Sequence, residues 1–332
     1  MKQQTQAYVR STGAYVPPRR MSNDELAQIV DTSDEWIYSH TGIRYRHIAD
    51  QGVAASDLAV EAARAALQGA GVEAGQIDLI LLATSTPDYP GLPATACIVQ
   101  DRLEAVNAAA MDLVAACTGF VYGLQTARAF IESGSADTVL LIGSEVYSQI
   151  INWKDRNSCV LFGDGAGAAV IAAGQTAAGS RIIDGALYSR GQGAEALARL
   201  TGGSRNPLAA DQPTTPGCYL SMDGRRVYNF AVAAIVETIQ TLLQRNGLSF
   251  DDIDWVVPHQ ANVRIIDAAA RRAGFDPARF YTNIAEYANT SAASIPIALD
   301  EMSRNGAIAR GQTVITVGFG SGLTYGGNLI VW

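Results

Sequence analysis

One cysteine stands where its sulfur could act as a nucleophile. Cys117 lies in residues 112–124, which run from an apolar strand into a helix that is apolar on nearly all sides. The positive end of a helix favours a thiolate over a thiol, and a thiolate can attack a thioester and hold the acyl group covalently. A small core residue explains the same cysteine equally well, so its position alone leaves both interpretations open.

Two polar residues could complete such a site. His259 follows the apolar run of residues 255–258, and catalytic groups of α/β sheets gather at the carboxyl ends of strands. Asn289 begins the segment Asn-Thr-Ser-Ala-Ala-Ser, in which N-capping of a helix is a sufficient reason for an asparagine. A structural, hydrogen-bonded histidine is also the more common case, so each residue is weak evidence by itself.

An internal repeat predicts that these residues come together. Residues 66–83 can be laid over residues 242–259 with leucine, glutamine, glycine, isoleucine and aspartate in register. Each copy predicts an amphipathic helix that ends at a C-cap glycine and leads into a strand, which is typical of parallel β-α-β crossovers. Aligning the helix and strand that follow Cys117 with those that follow Asn289 places these two residues opposite each other. Such a period indicates a two-fold core of stacked α/β layers.

The repeat divides the chain into two halves. We place the N-terminal half with the nucleophilic cysteine at residues 1–172, and the C-terminal half with the histidine and the asparagine at residues 173–332. Residues 198–222 hold stretches rich in glycine and proline, from which we expect an irregular loop that covers the site. Residues 181–188 have the apolar character of a strand, so the region around the boundary is expected to be partly ordered.

Two glycine-rich segments are candidate phosphate loops. Residues 163–168 satisfy the pattern G-x-G-x-x-G/A, but a strand-like run follows where a dinucleotide fold needs a helix. Residues 318–327 are likewise followed by an apolar, strand-like ending. These features argue against a nucleotide-dependent dehydrogenase. We interpret the second segment as a tight turn that presents a main-chain N–H to an oxyanion.

A helix start is predicted near the N-terminus. Thr32 and Glu35 have the spacing of a capping box, and Trp36 follows directly. The simplest interpretation is the start of a surface helix with a half-buried tryptophan. The alternative interpretation is an aromatic platform for the base of a cofactor.

The composition excludes several classes of function. A net charge of −8 and a pI near 4.9 argue against non-specific nucleic-acid binding. The lysines are Lys2 and Lys154, so any basic patch has to consist of arginine. The cysteines show no C-x-x-C spacing, and the histidines form no metal-site pattern. No apolar run reaches the roughly 18–20 residues of a membrane span, so we expect a cytoplasmic protein without a metal, a nucleic-acid partner or a membrane partner.

Taken together, the motifs resemble those of the β-ketoacyl-acyl carrier protein synthase III family. The resemblance rests on residues 31–37, 41–44, 162–167, 259–264 and 289–296 and extends over essentially the whole chain. It implies an α/β, thiolase-like fold with a duplicated five-layer αβαβα core. It also implies an acyltransferase that initiates fatty-acid synthesis. The implied reaction is the decarboxylative Claisen condensation of an acyl-CoA primer with malonyl-acyl carrier protein through an acyl-cysteine, with no permanently bound cofactor.

The resemblance assigns a role to each candidate residue. Cys117 is the nucleophile, while His259 and Asn289 bind the malonyl thioester carbonyl as it becomes an enolate. The main-chain N–H groups of Cys117 and Ser321 hold the oxyanion of acyl transfer. The positions implied to contact coenzyme A are Thr32, Trp36, Arg156, Gly224 and Asn262. The remaining positions are Arg264 for docking of acyl carrier protein, Phe319 for the acyl pocket, and Leu92 for the acyl pocket of the partner in a homodimer.

The chain departs from the family pattern at several positions. The family commonly has an arginine in place of His40 and a basic residue in place of Asn229. It commonly has glycine in place of Ala288 and of Ser321. The departures bear on coenzyme affinity, carrier preference and pocket shape. One alternative function is that of a relative from specialised metabolism, which transfers an acyl group from the same cysteine to an amine, an alcohol or an aromatic precursor. Another is a non-catalytic acyl-CoA-binding protein. The intact catalytic positions argue against both.

Overall fold

The structure is a computed structural model that describes residues 5–174, 176–208 and 214–332. Part of the predicted covering loop, residues 209–213, therefore lies outside the described residues. The described parts of that loop hold a short 3₁₀ turn, with a small antiparallel ribbon at the two ends. An irregular segment was expected there, and its described parts are irregular.

Helices and strands alternate along the chain, as the repeat predicts. The strands are β1 (Ala7–Tyr15), β2 (Arg20–Ser22), β3 (Tyr45–His47), β4 (Leu79–Ala83), β5 (Ala109–Leu113), β6 (Thr138–Glu145), β7 (Gly165–Ala173), β8 (Arg181–Ser189), β9 (Leu197–Ala198), β10 (Ser221–Met222), β11 (Trp255–Pro258), β12 (Thr313–Gly320) and β13 (Thr324–Val331). The helices are α1 (Asn23–Leu26), α2 (Asp34–Thr41), α3 (Ala55–Ala70), α4 (Thr95–Arg102), α5 (Gly119–Glu132), α6 (Arg156–Cys159), α7 (Gly224–Asn246), α8 (Val263–Ala273), α9 (Ile284–Tyr287) and α10 (Ser294–Asn305).

Two mixed sheets share one strand order. The first has the order β1-β7-β6-β4-β5, and the second has the order β8-β13-β12-β11. β4 runs parallel to β5 and β6, and β11 runs parallel to β12, whereas the other pairs are antiparallel. A parallel bridge from Val256 to Phe280 stands in the second sheet where β5 stands in the first. The predicted duplication is thus visible strand by strand. β7 ends at Ala173, and the boundary after residue 172 stays a prediction.

The two sheets enclose one pair of helices and are covered by others. α5 and α10 lie between the sheets and contact strands of both. α3 and α4 cover the outer face of the first sheet, and α7 and α8 cover the outer face of the second. This is the predicted five-layer αβαβα arrangement. None of the helices in the described ranges combines the length and the apolar character that a membrane crossing requires. The expected cytoplasmic location stays a prediction.

The layered arrangement explains the apolar sequences of the central elements. β4 is buried at every position, as expected for a strand with helices on both faces of its sheet. α5 is buried on most of its sides because it packs against both sheets. Two helix ends also follow the prediction: α3 stops at Gly71 and α7 at Gly247, both with left-handed backbone. Glycine adopts this conformation without a steric penalty.

One predicted helix start is wrong by a residue. α2 begins at Asp34, and its N-cap is Ser33, whose hydroxyl accepts a hydrogen bond from the main-chain N–H of Trp36. Thr32 therefore lies one position before the cap, and Glu35 is not its capping-box partner. Serine and threonine are both preferred N-cap residues, so the spacing from Thr32 to Glu35 favoured the wrong one.

Candidate active site

A buried pocket lies where the turns that precede α5 and α10 meet the ends of β11 and β12. The residues of its inner wall include Cys117, Tyr147, His259, Asn289 and Phe319. More exposed residues line its mouth, among them Gly224, Tyr228 and Asn262. Cys117 lies in the turn before α5, and Asn289 lies just ahead of the turn before α10, as the repeat predicts. Three residues that are weak evidence separately therefore share one cavity.

Cys117 lies in a tight turn, residues 116–118, directly before α5. Only 4% of the residue is exposed. The end of β12 packs closely against it, because a Cβ atom on Gly320 would lie 2.9 Å from the main-chain nitrogen of Cys117. Glycine at this position lets the main chain that leads into Ser321 approach the nucleophile. The two predicted oxyanion donors are thus on neighbouring segments.

The thiol of Cys117 is harder to ionise than the sequence predicts. Burial is the main reason that its pKa rises to about 12; the Ser291 hydroxyl opposes this rise and the Glu145 carboxyl adds to it. A helix terminus contributes roughly 0.3–1 kcal/mol, which is too little to offset the loss of hydration around a buried charge. Burial therefore opposes the ionisation that the helix end favours, and the thiolate of Cys117 stays a prediction.

His259 is held directly after β11 and lines the pocket. Its main-chain N–H donates to the carbonyl of Val317 at 2.8 Å, and its Nδ1 lies 2.7 Å from the Ser294 hydroxyl. The same hydroxyl oxygen accepts the N–H of Gln260 at 3.3 Å. This arrangement favours donation from the serine to Nδ1, which puts the imidazole proton on Nε2. Burial lowers the pKa of His259 to about 3, so the ring is neutral.

Asn289 is oriented by a hydrogen bond within its own turn. Its Oδ1 accepts the main-chain N–H of Ser291 at 2.9 Å, which leaves the Nδ2 group as the donor that faces the pocket. Its main chain is fixed as well, because its N–H donates to the carbonyl of Leu161 at 2.9 Å and its carbonyl accepts the N–H of Gly163 at 3.1 Å. The amide therefore has a fixed position and a fixed orientation.

The arrangement suits the stabilisation of negative charge on a carbonyl oxygen. His259 and Asn289 each present one N–H donor. The second polar atom of each side chain, Nδ1 of His259 and Oδ1 of Asn289, is already hydrogen-bonded. Donors that are fixed before a reaction stabilise a developing oxyanion or enolate, typically by a few kcal/mol each. Cys117, in the same cavity, provides a sulfur that can accept an acyl group.

The two residues predicted to hold the coenzyme base, Trp36 and Arg156, contact each other. The guanidinium carbon of Arg156 lies 4.7 Å from the centroid of the Trp36 ring, and its Nη1 donates to the carbonyl of Asp31 at 3.1 Å. His40 stacks on the same tryptophan with 4.4 Å between the ring centroids. A base held between Trp36 and Arg156 requires a separation of roughly 7 Å, which is two stacked contacts of about 3.5 Å each. The two side chains must therefore separate to admit one.

The other predicted coenzyme contacts are divided between the pocket and its surroundings. Gly224 and Asn262 line the mouth of the pocket. Asn262 caps α8, and its Nδ2 donates to the carbonyl of His40 at 3.1 Å. Thr32 is not among the residues that line the pocket, and its buried hydroxyl has no hydrogen-bond partner within the described part of the chain.

The predicted acyl-pocket and docking residues lie in different places. Phe319 is in the pocket and packs edge-on against His259, with 5.3 Å between the ring centroids. Leu92 is 88% exposed and does not line the pocket of its own chain. Arg264 is exposed at the start of α8, where its Nε donates to the carbonyl of Ser39 at 3.0 Å.

Comparisons with known proteins point to one family. Residues 111–191 match the family model described as 3-oxoacyl-[acyl-carrier-protein] synthase III, and residues 243–332 match the model of its C-terminal part. The chain is 47% identical over 326 residues to the β-ketoacyl-[acyl-carrier-protein] synthase III of Caldanaerobacter subterraneus subsp. tengcongensis, with 98% of each protein covered. The chain belongs to the β-ketoacyl-[acyl-carrier-protein] synthase III family.

Solved structures of similar proteins share the fold of this synthase III family member. The 3-oxoacyl-[acyl-carrier-protein] synthase III of Aquifex aeolicus VF5 matches with a TM-score of 0.90 at 40% identity, covering 98% of this chain and 100% of that one. The priming β-ketosynthase from the R1128 polyketide biosynthetic pathway matches with a TM-score of 0.90 at 35% identity, covering 100% of this chain and 98% of that one. As a member of the synthase III family, the chain is an acyltransferase of the condensing type with a thiolase-like fold.

Two residues that depart from the synthase III pattern, Ala288 and Ser321, have a distinctive local structure. Ala288, where the family commonly has glycine, adopts φ 56° and ψ −157°, a region that is essentially restricted to glycine. Ala116, the residue before Cys117, also has a positive φ, of 46°. The residues that precede Cys117 and Asn289 are thus both alanines with a positive φ, as the repeat would predict. The hydroxyl of Ser321 donates to the carbonyl of Leu197, which ties the turn after β12 to β9.

Sequence reasoning missed several polar residues of this synthase III site. Ser294 orients His259, while Ser291 and Glu145 affect the ionisation of Cys117. Both serines lie in residues 289–296, a motif singled out from the sequence, so the motif itself contained the signal. Glu145 ends β6, the strand that the repeat aligns with β12, so comparison of the two strand ends could have found it.

Replacing Ala288 by glycine should stabilise the fold. The strain of a non-glycine residue in this region is on the order of 1–3 kcal/mol, and the greater freedom of glycine in the unfolded chain offsets roughly 0.5–1 kcal/mol of the gain. We expect the free energy of unfolding, measured by urea denaturation, to rise by about 1 kcal/mol. Ala285→Gly, in ordinary helical backbone of α9, is the matched control and should lower it. A loss of stability in both variants would show that Ala288 is not strained.

Proposed function

We propose that the chain condenses an acyl-CoA primer with malonyl-acyl carrier protein to give a 3-oxoacyl-acyl carrier protein and carbon dioxide, the reaction that initiates fatty-acid synthesis. The observation that carries the proposal is the cavity that brings a buried cysteine, a neutral histidine and an oriented asparagine amide together. Family membership supports it, since the similar proteins are named β-ketoacyl-[acyl-carrier-protein] synthase III.

The first half-reaction is acyl transfer to the cysteine. The sulfur of Cys117 attacks the carbonyl carbon of the primer thioester, and the bond from that carbon to the coenzyme A sulfur breaks. The oxyanion that forms on the way is stabilised by the main-chain N–H groups of Cys117 and Ser321. The close contact between Gly320 and Cys117 supports this role, because it brings the main chain that leads into Ser321 against the main-chain nitrogen of Cys117.

The second half-reaction is decarboxylation followed by carbon–carbon bond formation. As the malonyl group loses carbon dioxide, negative charge builds on the thioester oxygen, where Nε2 of His259 and Nδ2 of Asn289 donate hydrogen bonds. The resulting enolate attacks the acyl carbon on Cys117, and the bond from that carbon to the sulfur breaks. A neutral histidine suits this role, because its Nε2–H donates a hydrogen bond. A charged imidazolium in this buried pocket would be a strong acid.

The two donors favour condensation over simple acyl transfer. An enzyme that passes the acyl group to an amine or an alcohol has no enolate to stabilise. In this chain the histidine and the asparagine are both fixed by further hydrogen bonds, from Ser294 and Ser291. Condensation requires two such donors at the enolate oxygen, and this preorganisation therefore supports it.

We also propose that the two carriers reach the pocket over a surface of arginines. The mouth lies beside the first turns of α7 and α8, where Arg225, Arg226 and Arg264 are exposed. Arginine suits the phosphates of coenzyme A and of a carrier-bound prosthetic arm through its planar fork. Trp36 and Arg156 take the adenine base after they separate.

We further propose that the chain forms a homodimer through the edge of the first sheet. β5 is an edge strand, and apolar side chains are exposed on it and beside it, namely Met111, Val114 and Leu92. An exposed, apolar edge strand is a template for pairing with another strand. A second copy of the chain satisfies both features, because it would pair β5 and would give Leu92 a pocket that its own chain does not offer it.

The two half-reactions should separate in variants of the catalytic positions. His259→Ala and Asn289→Ala each remove a donor needed for the enolate, so we expect condensation to fall by roughly 10²- to 10³-fold while Cys117 is still acylated. Cys117→Ala is the reciprocal control and should lose acylation yet retain slow malonyl decarboxylation. Mass spectrometry of the intact enzyme measures acylation, and malonyl consumption measures decarboxylation.

Peptide mapping in the same samples identifies the acylated cysteine. The expected site is Cys117, and Cys97, Cys159 and Cys218 should stay free. A label on one of those three with Cys117 free would contradict the nucleophile assignment. Failure of a folded His259→Ala variant to acylate would instead make the histidine the base for Cys117.

Opening the aromatic clamp should weaken coenzyme binding selectively. Trp36→Ala and Arg156→Ala each remove one stacking face, worth about 1–2 kcal/mol, so we expect the KM for the acyl-CoA primer to rise about 5- to 30-fold. The KM for malonyl-acyl carrier protein should change little. Tyr45→Ala removes another aromatic ring that lies under an arginine, with Arg20 at 3.3 Å, and is the control. An unchanged KM for the primer in the Trp36 and Arg156 variants would remove the clamp from the proposal.

A charge on the edge strand should dissociate the dimer. Met111→Lys places an ammonium group in the proposed interface, where desolvation of the charge opposes pairing of β5 with a second copy. We expect the mass measured by sedimentation equilibrium to fall from that of two chains to that of one. Ile29→Lys changes another exposed apolar residue outside this edge and should leave the mass unchanged. A wild-type protein that sediments as a monomer would contradict the proposal directly.

A further inference from the structure

The proton of Cys117 needs an acceptor within the cavity. The thiol is buried and stays protonated in the resting site. Among the hydrogen bonds of the described residues, none joins His259 to Cys117, and the imidazole Nδ1 is engaged by Ser294. A second titratable group beside Cys117, the Glu145 carboxyl at the end of β6, is therefore a candidate acceptor.

Glu145 is a buried carboxyl group with one free oxygen. It is the last residue of β6 and is fully buried. Its Oε2 accepts the main-chain N–H of Ser85 at 2.9 Å and the hydroxyl of Thr86 at 2.8 Å. Its Oε1 has no hydrogen-bond partner within the described ranges. A buried carboxyl oxygen without a partner is costly, so this atom is a candidate for a function.

Ser291 begins a turn, residues 291–293, that contacts both β6 and the turn of Cys117. Its turn packs against the end of β6, since a Cβ on Gly143 would meet the carbonyl oxygen of Ala292 at 2.4 Å, and against the turn of Cys117, since one on Gly119 would meet Ala292 Cβ at 3.3 Å. The Ser291 hydroxyl is fully buried, and it completes no hydrogen bond among the described residues. Its backbone has a positive φ of 49°, a strained conformation of a kind that clusters at functional sites.

The Ser291 hydroxyl also influences its titratable neighbours. Burial raises the pKa of Cys117, Glu145 and Tyr147, and the Ser291 hydroxyl lowers the pKa of all three. The geometry agrees with this influence, because the turn that Ser291 begins contacts both β6, which ends at Glu145, and the turn that holds Cys117. This placement is independent of the hydrogen bonds that fix Oε2 of Glu145.

We propose that Ser291 and Glu145 form a proton relay for Cys117, an inference that rests on the proposed function. As the sulfur attacks the primer, its proton passes to Ser291 Oγ while the serine proton passes to Glu145 Oε1. The carbon–sulfur bond to Cys117 forms and the bond to coenzyme A breaks. Coenzyme A leaves as a thiolate that takes a proton from water, and Glu145 remains protonated beside the acyl-cysteine.

Condensation returns the stored proton. When the enolate attacks the acyl carbon, the bond to the Cys117 sulfur breaks and a buried thiolate is expelled. Glu145 gives its proton to Ser291 as the serine gives its own to the sulfur. The carboxylate and the thiol are thus restored together, and the relay needs no proton from the pocket mouth.

The environment of Glu145 suits a group that both accepts and returns a proton. Burial raises its pKa to about 7, near the pH at which the enzyme would work. The groups that face it are the titratable side chains of Cys117 and Tyr147, whose pKa values burial also raises, together with hydroxyls of the segment 84–86 and of Ser291. Because the relay requires the carboxylate form, acylation should accelerate as the pH rises through about 7.

Single-turnover acylation of Glu145→Gln tests the relay. Glutamine keeps the size of the side chain but accepts no proton, so we expect acylation of Cys117 by the acyl-CoA primer to slow by about 100-fold, with the rise near pH 7 lost. Malonyl decarboxylation by the same variant should stay close to wild type, because it depends on His259 and Asn289. An unchanged acylation rate with the wild-type pH profile would overturn the proposal.

A second variant tests the relay even if Glu145→Gln disrupts the structure of the whole site. Ser291→Ala leaves the carboxyl group in place and removes the relay atom, so acylation should again slow markedly while decarboxylation persists. Thr238→Val is the matched control, because it removes another buried hydroxyl without a partner in the described chain, on α7. Normal acylation by Ser291→Ala would overturn the relay. Wild-type enzyme that fails to acylate Cys117 would instead contradict the proposed function itself.

Discussion

The site depends on the close packing of main chain around Cys117. A Cβ on Gly119 would lie 2.6 Å from the Cβ of Ala83, and one on Gly143 would lie 2.4 Å from the carbonyl oxygen of Ala292. Gly320 approaches the nitrogen of Cys117 in the same manner. These contacts join the turn of the nucleophile, the end of β6 and the turn before α10. The site is therefore a property of the duplicated middle layer, and no single loop could build it.

Packing this close buries the functional groups, and the electrostatics of the site follow from that. Burial keeps His259 neutral, keeps the proton on Cys117 and raises the pKa of Glu145 to about 7. Fixed donors stabilise developing charge more strongly in such surroundings than in water. The same surroundings hinder any group that must ionise first. Desolvation thus assists the decarboxylation step and opposes the formation of the thiolate.

The framework could be predicted from the sequence because burial imposes periodic patterns. The apolar runs at residues 138–143 and 313–318 are β6 and β12, since strands covered on both faces read as continuous apolar segments. The run at residues 181–188 is β8, an edge strand that is only partly buried. The meeting of Cys117 with Asn289 followed from the spacing of the repeat. The protonation of the thiol could not be predicted, because it depends on desolvation by groups far away in the chain. Positions in a cap or a clamp depend on side-chain geometry that spacing does not encode.

The direct contact between Trp36 and Arg156 affects the timing of the reaction. Under the proposed function, coenzyme A must separate the two side chains, and their contact is restored when it departs. Part of the binding energy is therefore spent on opening the clamp, which leaves a looser hold on the spent coenzyme. Both thioesters use the mouth beside Gly224 and Asn262, so the first has to vacate it before the second can enter. Under the proposed function, the restored contact therefore favours departure of the first product before the second thioester enters.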